Sequence, residues 1–192
     1  KQINYSDTKT VTLQNYSSSW YAQHDAQTAL ATVSTYYTGN YTANWAIQND
    51  YSADMKTAWI NAKGYSSSTR YIVWVNIARQ HVNIFQGSRG NWTLVKSFLC
   101  GTGAYDRTPR CVTSILGRSA AGWTTSTYNV SPVVNFYSYA YAFHSRLWNP
   151  AHTYITDPSI GFPVSHGCVR MYDNDVWWIY NNIPNGTTVV VY

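Results

Sequence analysis

A cysteine, a glycine, a histidine and an arginine occur within seven positions near the C-terminus, where residues 165–171 read SHGCVRM. A cysteine thiolate is the strongest ordinary side-chain nucleophile, so Cys168 is a candidate for covalent catalysis. Gly167 lets backbone N–H groups approach a developing oxyanion, and a cation such as Arg170 lowers the pKa of a nearby thiol. The alternative is a buried structural thiol, the commonest fate of a free cysteine.

Two histidines compete for the role of the base that would activate Cys168. His166 lies two residues before the cysteine, and His144 lies farther upstream at the end of an apolar, tyrosine-rich run. Side chains two residues apart often do not meet at their ends, whereas a residue on a neighbouring strand can face the sulfur directly. Sequence spacing alone leaves both histidines open.

A metal site is the other chemistry that these residues suggest, because His144, His152, His166 and Cys168 are all possible ligands. No Cys-x2-Cys or His-Glu-x2-His spacing supports zinc, and thiolate catalysis needs no metal. The sequence therefore predicts neither a metal nor another cofactor.

The elements that must position these residues are mainly β-strands. β-Branched and aromatic runs predict strands over residues 71–77, 81–86, 91–99, 112–116 and 133–143. Helical spacing of apolar residues predicts helices over 21–37 and 51–62, the second capped by Asp50, and a late helix over 174–182 capped by Asp173. We predict an arm and helical segment over residues 1–66, packed on a catalytic domain over 67–192.

Aromatic residues flank the candidate base on both sides. Tyr137, Tyr139, Tyr141 and Phe143 alternate with other residues, which predicts that their rings share one sheet face, as core or surface side chains rather than as a stacking site for substrate. The segment between His144 and Cys168, which carries Trp148, is the natural lid over a cleft.

Composition excludes several classes of protein. Hydrophobic residues make up 45% of the 192 residues, which rules out wholesale disorder. The net charge of +5 is modest and its Lys and Arg residues are scattered, so nucleic acid is a poor candidate partner. The sequence contains no window of 18 apolar residues, so it predicts no membrane-spanning helix.

The three cysteines leave one over after any pairing. Cys100 and Cys111 bracket a glycine- and proline-containing step that could close as a disulfide in an oxidising compartment, leaving Cys168 as a reactive thiol. Two independent buried thiols are the alternative, because connectivity cannot be deduced from sequence.

The SHGCVRM segment resembles the signature of the YkuD-type L,D-transpeptidase catalytic domain, a family of cysteine enzymes that cross-link bacterial peptidoglycan. The resemblance covers roughly residues 70–192. It includes further landmarks in the same order: residues 80–85, Gly101-Thr102-Gly103, Thr108-Pro109, His144-Ser145 and residues 186–191. It implies a mainly β, β-sandwich-like catalytic domain with a few short helices, here preceded by a small helical N-terminal segment.

The resemblance also implies roles for individual residues. It makes Cys168 the nucleophile and His144 its base, with the Ser145 carbonyl orienting the imidazole and the N–H groups of Gly167 and Cys168 binding the oxyanion. Candidate substrate-binding residues are His166, Arg170, Ser165, Tyr141 and Trp148. For Arg170 the alternative is a structural ion pair beneath the active loop.

The activity that the resemblance implies is formation of 3→3 cross-links through an acyl-enzyme, with a tetrapeptide stem as donor, release of D-Ala and an amine of another stem as acceptor. Carbapenem-type β-lactams are the expected inhibitors. We expect a monomer, extracellular and associated with a bacterial cell wall or envelope. The alternatives are an L,D-carboxypeptidase with the same site, a general cysteine protease, and a non-catalytic wall-binding module with an inert Cys168.

Overall fold

The computed structural model describes residues 49–192. The arm predicted over residues 1–19 and the helix predicted over 21–37 lie outside the described residues. The domain division at residues 66 and 67 stays a prediction.

Three antiparallel strands begin the sheet: β1 (Tyr71–Asn76), β2 (His81–Ser88) and β3 (Asn91–Gly101). All six residues of β1 are buried, because this strand has a hydrophobic cluster on each face. Val73 and Val75 belong to one cluster, and Ile72 and Trp74 to the other. Burial on both faces explains why this segment is a continuous apolar run with little alternation.

Ten further strands follow. In chain order they are β4 (Cys111–Ser114), β5 (Gly117–Ser119), β6 (Trp123–Thr124), β7 (Asn129–Val130), β8 (Val133–Phe136), β9 (Ser138–His144), β10 (Leu147–Trp148), β11 (Ile155–Asp157), β12 (Val169–Met171) and β13 (Thr188–Val191). Of the thirteen strands in residues 49–192, nine form one curled sheet in the order β4-β13-β1-β2-β3-β12-β9-β8-β5, and four form a smaller sheet in the order β11-β10-β7-β6. The prediction of a mainly β fold is confirmed.

The single strand predicted over residues 133–143 is in fact two. Tyr137 lies between β8 and β9 with a φ of 48°, in the left-handed region, and the two strands pair antiparallel on either side of it. A non-glycine residue rarely adopts this conformation, so nothing in the local sequence pattern marks the turn.

Helix α1 (Ala53–Lys63) packs on the sheet through Trp59, which is 1% exposed and stacks on Trp74 with ring centroids 4.0 Å apart. Its N-cap is Ser52, whose hydroxyl accepts from the Met55 N–H, and not Asp50 as predicted. The Asp50 carboxylate instead forms an ion pair with the buried Lys56, which burial would otherwise destabilise. The ion pair with Lys56 thus occupies the Asp50 carboxylate, and Ser52 caps the helix.

Helix α2 (Asp173–Asn182) buries Val176 and Ile179 against the main cluster. Its N-cap is Tyr172, which makes no side-chain capping bond, so the predicted cap at Asp173 is wrong. The Asp173 carboxylate pairs with Arg146 and accepts from the Trp148 indole. Neither described helix is long and apolar enough to cross a bilayer.

We predict that Trp59→Ala lowers the free energy of unfolding by about 3–5 kcal/mol, because it removes a fully buried indole and its stacking contact with Trp74. Trp177→Ala is the matched control, since Trp177 is 36% exposed, and its cost should stay below about 1 kcal/mol. Urea titration followed by circular dichroism measures both. Equal midpoints for the two variants would show that α1 contributes nothing to the stability of the sheet.

Candidate active site

Cys168 lies immediately before β12, at the point where this strand enters the sheet between β3 and β9. β12 runs parallel to β9, with Val169 opposite Phe143 and Arg170 opposite His144. Val169 and Phe143 both point into the main hydrophobic cluster. Because side chains alternate along a strand, Cys168 and His144 belong to the other face. The register therefore brings the two sequence-predicted catalytic residues to one side of two adjacent strands.

The sulfur of Cys168 is half-buried against the backbone of β9. Its Sγ lies 3.6 Å from the Ala140 carbonyl oxygen, to which the thiol can donate. Burial raises the pKa of the Cys168 thiol, and the backbone hydrogen bond with Ala142 and the charge of Arg170 offset part of this rise. The resting side chain is therefore a neutral thiol at neutral pH.

His144 is buried and lies at the end of β9. Its Nδ1 is 2.6 Å from the Ser145 carbonyl oxygen. A carbonyl can only accept, so Nδ1 carries the proton and Nε2 keeps its lone pair. Burial lowers the pKa of His144 to about 4, although the bond to Ser145 opposes this shift. The imidazole is thus neutral at pH 7, in the tautomer that a general base requires.

Ser145 orients the base through its backbone carbonyl, while its hydroxyl forms a hydrogen bond with the backbone just before β8. Oγ accepts from the Ser131 N–H at 2.9 Å and donates to the Arg146 carbonyl at 2.9 Å. Both groups of Ser145 are therefore occupied, and its side chain does not face a substrate.

The turn that carries Cys168 is held by the Ser165 hydroxyl. Oγ accepts from the Gly167 N–H at 3.0 Å and donates to the Cys168 carbonyl at 2.6 Å. Ser165 is buried and its hydroxyl holds the turn, while its predicted contact with substrate stays a prediction. The same bond occupies the Gly167 N–H, so of the two oxyanion donors predicted, only that of Cys168 remains.

Gly167 needs to be glycine at this turn. Its φ is 141°, and a Cβ there would lie 2.8 Å from Cε1 of Tyr141 and 3.1 Å from the Arg107 carbonyl. The Thr108 hydroxyl donates to the Gly167 carbonyl at 2.9 Å. The same hydroxyl accepts from the Gly103 N–H at 2.7 Å. The Thr108 hydroxyl thereby links the turn to the chain after β3. Sequence reasoning recognised Thr108 as a landmark but gave it no role.

Tyr141 is the tyrosine whose ring covers the turn. It is half-buried against the main cluster and packs edge-on against Tyr137, with centroids 5.4 Å apart. The predicted common face for the four aromatic residues is only partly found. Phe143 is buried in the core and Tyr139 is 71% exposed, while Tyr137 lies outside the strand.

Arg170 is 3% exposed and does not reach solvent. Its Nη1 donates to Asp157 Oδ2 at 2.7 Å and to the Ser159 carbonyl at 3.4 Å. Although burial raises the pKa of Asp157, hydrogen bonds from Ser159 and the paired Arg170 hold it below its ordinary value. The ion pair ties the segment before Cys168 to β12, which is the structural role given as the alternative; a substrate contact of Arg170 stays a prediction.

The segment predicted to be a lid is anchored by Trp148. This indole stacks on His152, with centroids 4.3 Å apart, and donates to Asp173 Oδ1 at 3.3 Å. His152 bonds Asn129 through Nδ1 at 2.7 Å. β10 and β11 hold the first part of the segment, residues 147–157, in the smaller sheet. His166, in contrast, is exposed at the turn beside Cys168, where a substrate can reach it.

A family model described as the L,D-transpeptidase catalytic domain, YkuD, matches residues 70–191. The chain belongs to this family. A comparison with curated proteins found no match.

Solved structures with this fold include L,D-transpeptidases. A fused Zn-dependent amidase/peptidase/peptidoglycan-binding domain-containing protein from Clostridium acetobutylicum is 26% identical, with a TM-score of 0.61, over 71% of this chain and 58% of that one. An L,D-transpeptidase from Xylanimonas cellulosilytica is 19% identical, with a TM-score of 0.50, over 82% of each chain. L,D-transpeptidase 3 from Mycobacterium tuberculosis is 18% identical, with a TM-score of 0.50, over 64% of this chain and 61% of that one. The match thus spans less than two thirds of the first and third of these structures.

The L,D-transpeptidase domain holds all three cysteines as free thiols, so the predicted disulfide between Cys100 and Cys111 is not formed. Cys100 is buried in β3, whereas Cys111 lies on the edge strand β4, with β13, β1 and β2 between them in the sheet. Burial raises the pKa of both thiols. Among residues 49–192 no group of three or more His, Cys, Asp or Glu side chains could hold a metal ion.

We predict that His144 makes the domain less stable in acid. Its pKa is about 4 when folded and about 6.5 when unfolded, so the unfolded chain binds more protons between these values. Stability should be at its full value above pH 6.5 and fall as the pH drops toward 4, by about 3 kcal/mol from this residue.

Chemical denaturation of the wild type and His144→Gln between pH 7 and 4 tests this. The variant should lose less stability over that range, and parallel curves would contradict the assignment of a neutral, buried imidazole. Comparing the two proteins cancels the contribution of His81, whose pKa burial also lowers.

We predict that Gly167→Ala lowers the rate of Cys168 acylation by roughly a hundredfold, because the new Cβ displaces the turn or the Tyr141 ring by a fraction of an ångström or more. Gly90→Ala is the matched control. Its φ is +78°, but no atom lies within 4 Å of the added Cβ. Acylation by a chromogenic thioester measures both rates, and an unimpaired Gly167→Ala would show that the close approach is unnecessary.

Proposed function

We propose that this domain is a peptidoglycan L,D-transpeptidase that forms 3→3 cross-links through a thioester on Cys168. The observation that carries the proposal is the pairing of β12 with β9, which sets Cys168 and a neutral His144 with a free Nε2 on one face. Membership of the family supports the reaction class.

In the first half-reaction, His144 Nε2 accepts the thiol proton as Cys168 Sγ attacks the carbonyl of the third residue of a tetrapeptide stem. The Cys168 N–H donates to the oxygen of the tetrahedral intermediate. The C–N bond to the terminal D-Ala then breaks, and His144 returns the proton to the leaving amine. The products are free D-Ala and a thioester on Cys168.

In the second half-reaction, the side-chain amine of the third residue of another stem attacks the thioester. His144 accepts a proton from this amine and returns it to the sulfur as the C–S bond breaks. A new amide bond forms and the free thiol is restored, so the cycle is balanced without a cofactor. Water in place of the amine would give L,D-carboxypeptidase activity from the same intermediate.

Burial of both partners explains why the substrate must be present before charge develops. With the thiol pKa raised and that of His144 lowered to about 4, the neutral pair is more stable than the thiolate–imidazolium pair in the free domain. Proton transfer therefore accompanies attack, when the charge passes to the substrate oxygen. Since the substrate is a wall polymer, we propose that the protein acts outside the cell, at a bacterial envelope.

The decisive experiment combines intact-mass and product analysis. The wild type should gain one carbapenem adduct and release D-Ala from a tetrapeptide donor, giving a cross-linked dimer when an acceptor stem is present. Cys168→Ala should lose all three activities, because it removes the sulfur on which the thioester forms.

Cys111→Ala is the matched control, because it removes a half-buried free thiol of the edge strand β4, outside the catalytic turn, and it should behave as the wild type. An adduct that persists in Cys168→Ala would overturn the assignment of the nucleophile. Release of D-Ala without any dimer would favour the carboxypeptidase.

A further inference from the structure

An open groove of about 720 Å³ lies where the C-terminal end of α2 meets the edge strand β5. Its lining residues are Gly117, Arg118, Tyr139 and residues 181–185. None of these residues belongs to the catalytic turn or to the base. The size of the groove is in the range of sites that bind small ligands, roughly 300–1,000 Å³.

Tyr139 gives the groove an exposed aromatic face. It is 71% exposed, and its Cε1 lies 3.4 Å from the position that a Cβ on Gly117 would occupy. The ring therefore lies against the edge strand at Gly117. An exposed ring of this kind offers an apolar surface beside a polar tip, which suits the C–H face of a sugar ring.

The polar groups of the groove are neutral amides. Asn182 Nδ2 donates to the Trp178 carbonyl and Asn185 Oδ1 accepts from Arg118, so Asn182 Oδ1 and Asn185 Nδ2 remain for a ligand. The exposed Asn181 side chain makes no hydrogen bond within residues 49–192. Amides both donate and accept, as do the hydroxyl and acetamido groups of an N-acetylated sugar.

The charge of Arg118 is committed to the protein. Its guanidinium donates to the backbone carbonyls of Tyr180 and Ile183 at the end of α2 and to Asn185. It therefore satisfies a helix C-terminus, where cations are favourable. The Arg118 guanidinium already donates to these protein acceptors, so few of its N–H groups remain for an anionic ligand. A neutral polyhydroxylated ligand needs no cation.

The groove lies across β9 from the nucleophile. Tyr139 directly precedes Ala140, whose carbonyl is 3.6 Å from Cys168 Sγ, and its own carbonyl accepts from Asn135 on the other side of the strand. Along β9, Tyr139 shares the face of Phe143 and the main cluster, whereas Cys168 and His144 belong to the other face. The groove and the nucleophile therefore lie on opposite faces of the sheet.

We propose that this groove binds an N-acetylated glycan of the wall polymer. Tyr139 stacks on a sugar ring, and the amides of Asn181, Asn182 and Asn185 hydrogen-bond its acetamido and hydroxyl groups. The binding of such a glycan is independent of catalysis at Cys168, and its assignment to the wall polymer rests on the proposed function.

The test is titration of the full chain with oligomers of N-acetylglucosamine, followed by calorimetry, with glucose oligomers of equal length as the ligand control. We expect the acetylated oligomer to bind and the glucose oligomer to bind more weakly. Tyr139→Ala should weaken binding roughly tenfold or more, and Asn181→Ala should reduce the preference for the acetylated ligand.

Tyr154→Ala is the matched control, because Tyr154 is 61% exposed but lies outside the groove, and it should bind as the wild type. Failure of the wild type to bind, or equal affinity of Tyr139→Ala, would overturn the proposal. Carbapenem adducts on the same variants separate the two ideas. Acylation without glycan binding would refute the groove alone, and glycan binding without acylation would refute the proposed reaction alone.

Discussion

The insertion of β12 between β3 and β9 is the constraint on which the site depends. β12 has only three residues, yet it pairs antiparallel with β3 and parallel with β9. A shift of one residue in its register would move Val169 out of the core and turn Cys168 inward, because side chains alternate along a strand. The Arg170 ion pair holds the strand from one side and the Thr108 hydroxyl holds the turn before it. The position of the nucleophile is therefore fixed by sheet pairing and by two buried polar contacts together.

Burial sets the electrostatics of this site more than any nearby charge does. The cation closest in sequence to the nucleophile is Arg170, which is paired with Asp157. Its charge lowers the pKa of Cys168 by less than burial raises it. The same charge opposes protonation of His144. The free domain thus holds neither a thiolate at Cys168 nor an imidazolium at His144. Its neutral thiol stays weakly reactive until a substrate carbonyl binds.

Sequence patterns predicted the parts of this fold that depend on local chemistry. The strands over residues 71–99, the nucleophile turn and the two described helices follow from residue types and spacing. The predictions that failed depend on which partner each group finds once the chain has folded. Asp50 and Asp173 look like helix caps, but Asp50 pairs with Lys56 of the same helix and Asp173 pairs with the distant Arg146. The strand order that separates Cys100 from Cys111 is not written in any local pattern. The family resemblance assigned the Gly167 N–H to the oxyanion. Only the folded turn shows that this N–H already donates to the Ser165 hydroxyl.

The contacts of α1 bear on where this domain begins. The match to the family starts at residue 70, yet Trp92 donates its indole N–H to the Tyr65 carbonyl and its backbone N–H to Asn61, and Trp74 is covered by Trp59. A fragment cut at residue 70 would keep every catalytic residue but leave two indole faces of the sheet uncovered. Apolar surface of that kind promotes self-association. The packing of the sheet therefore extends at least one helix beyond the segment that matches the family.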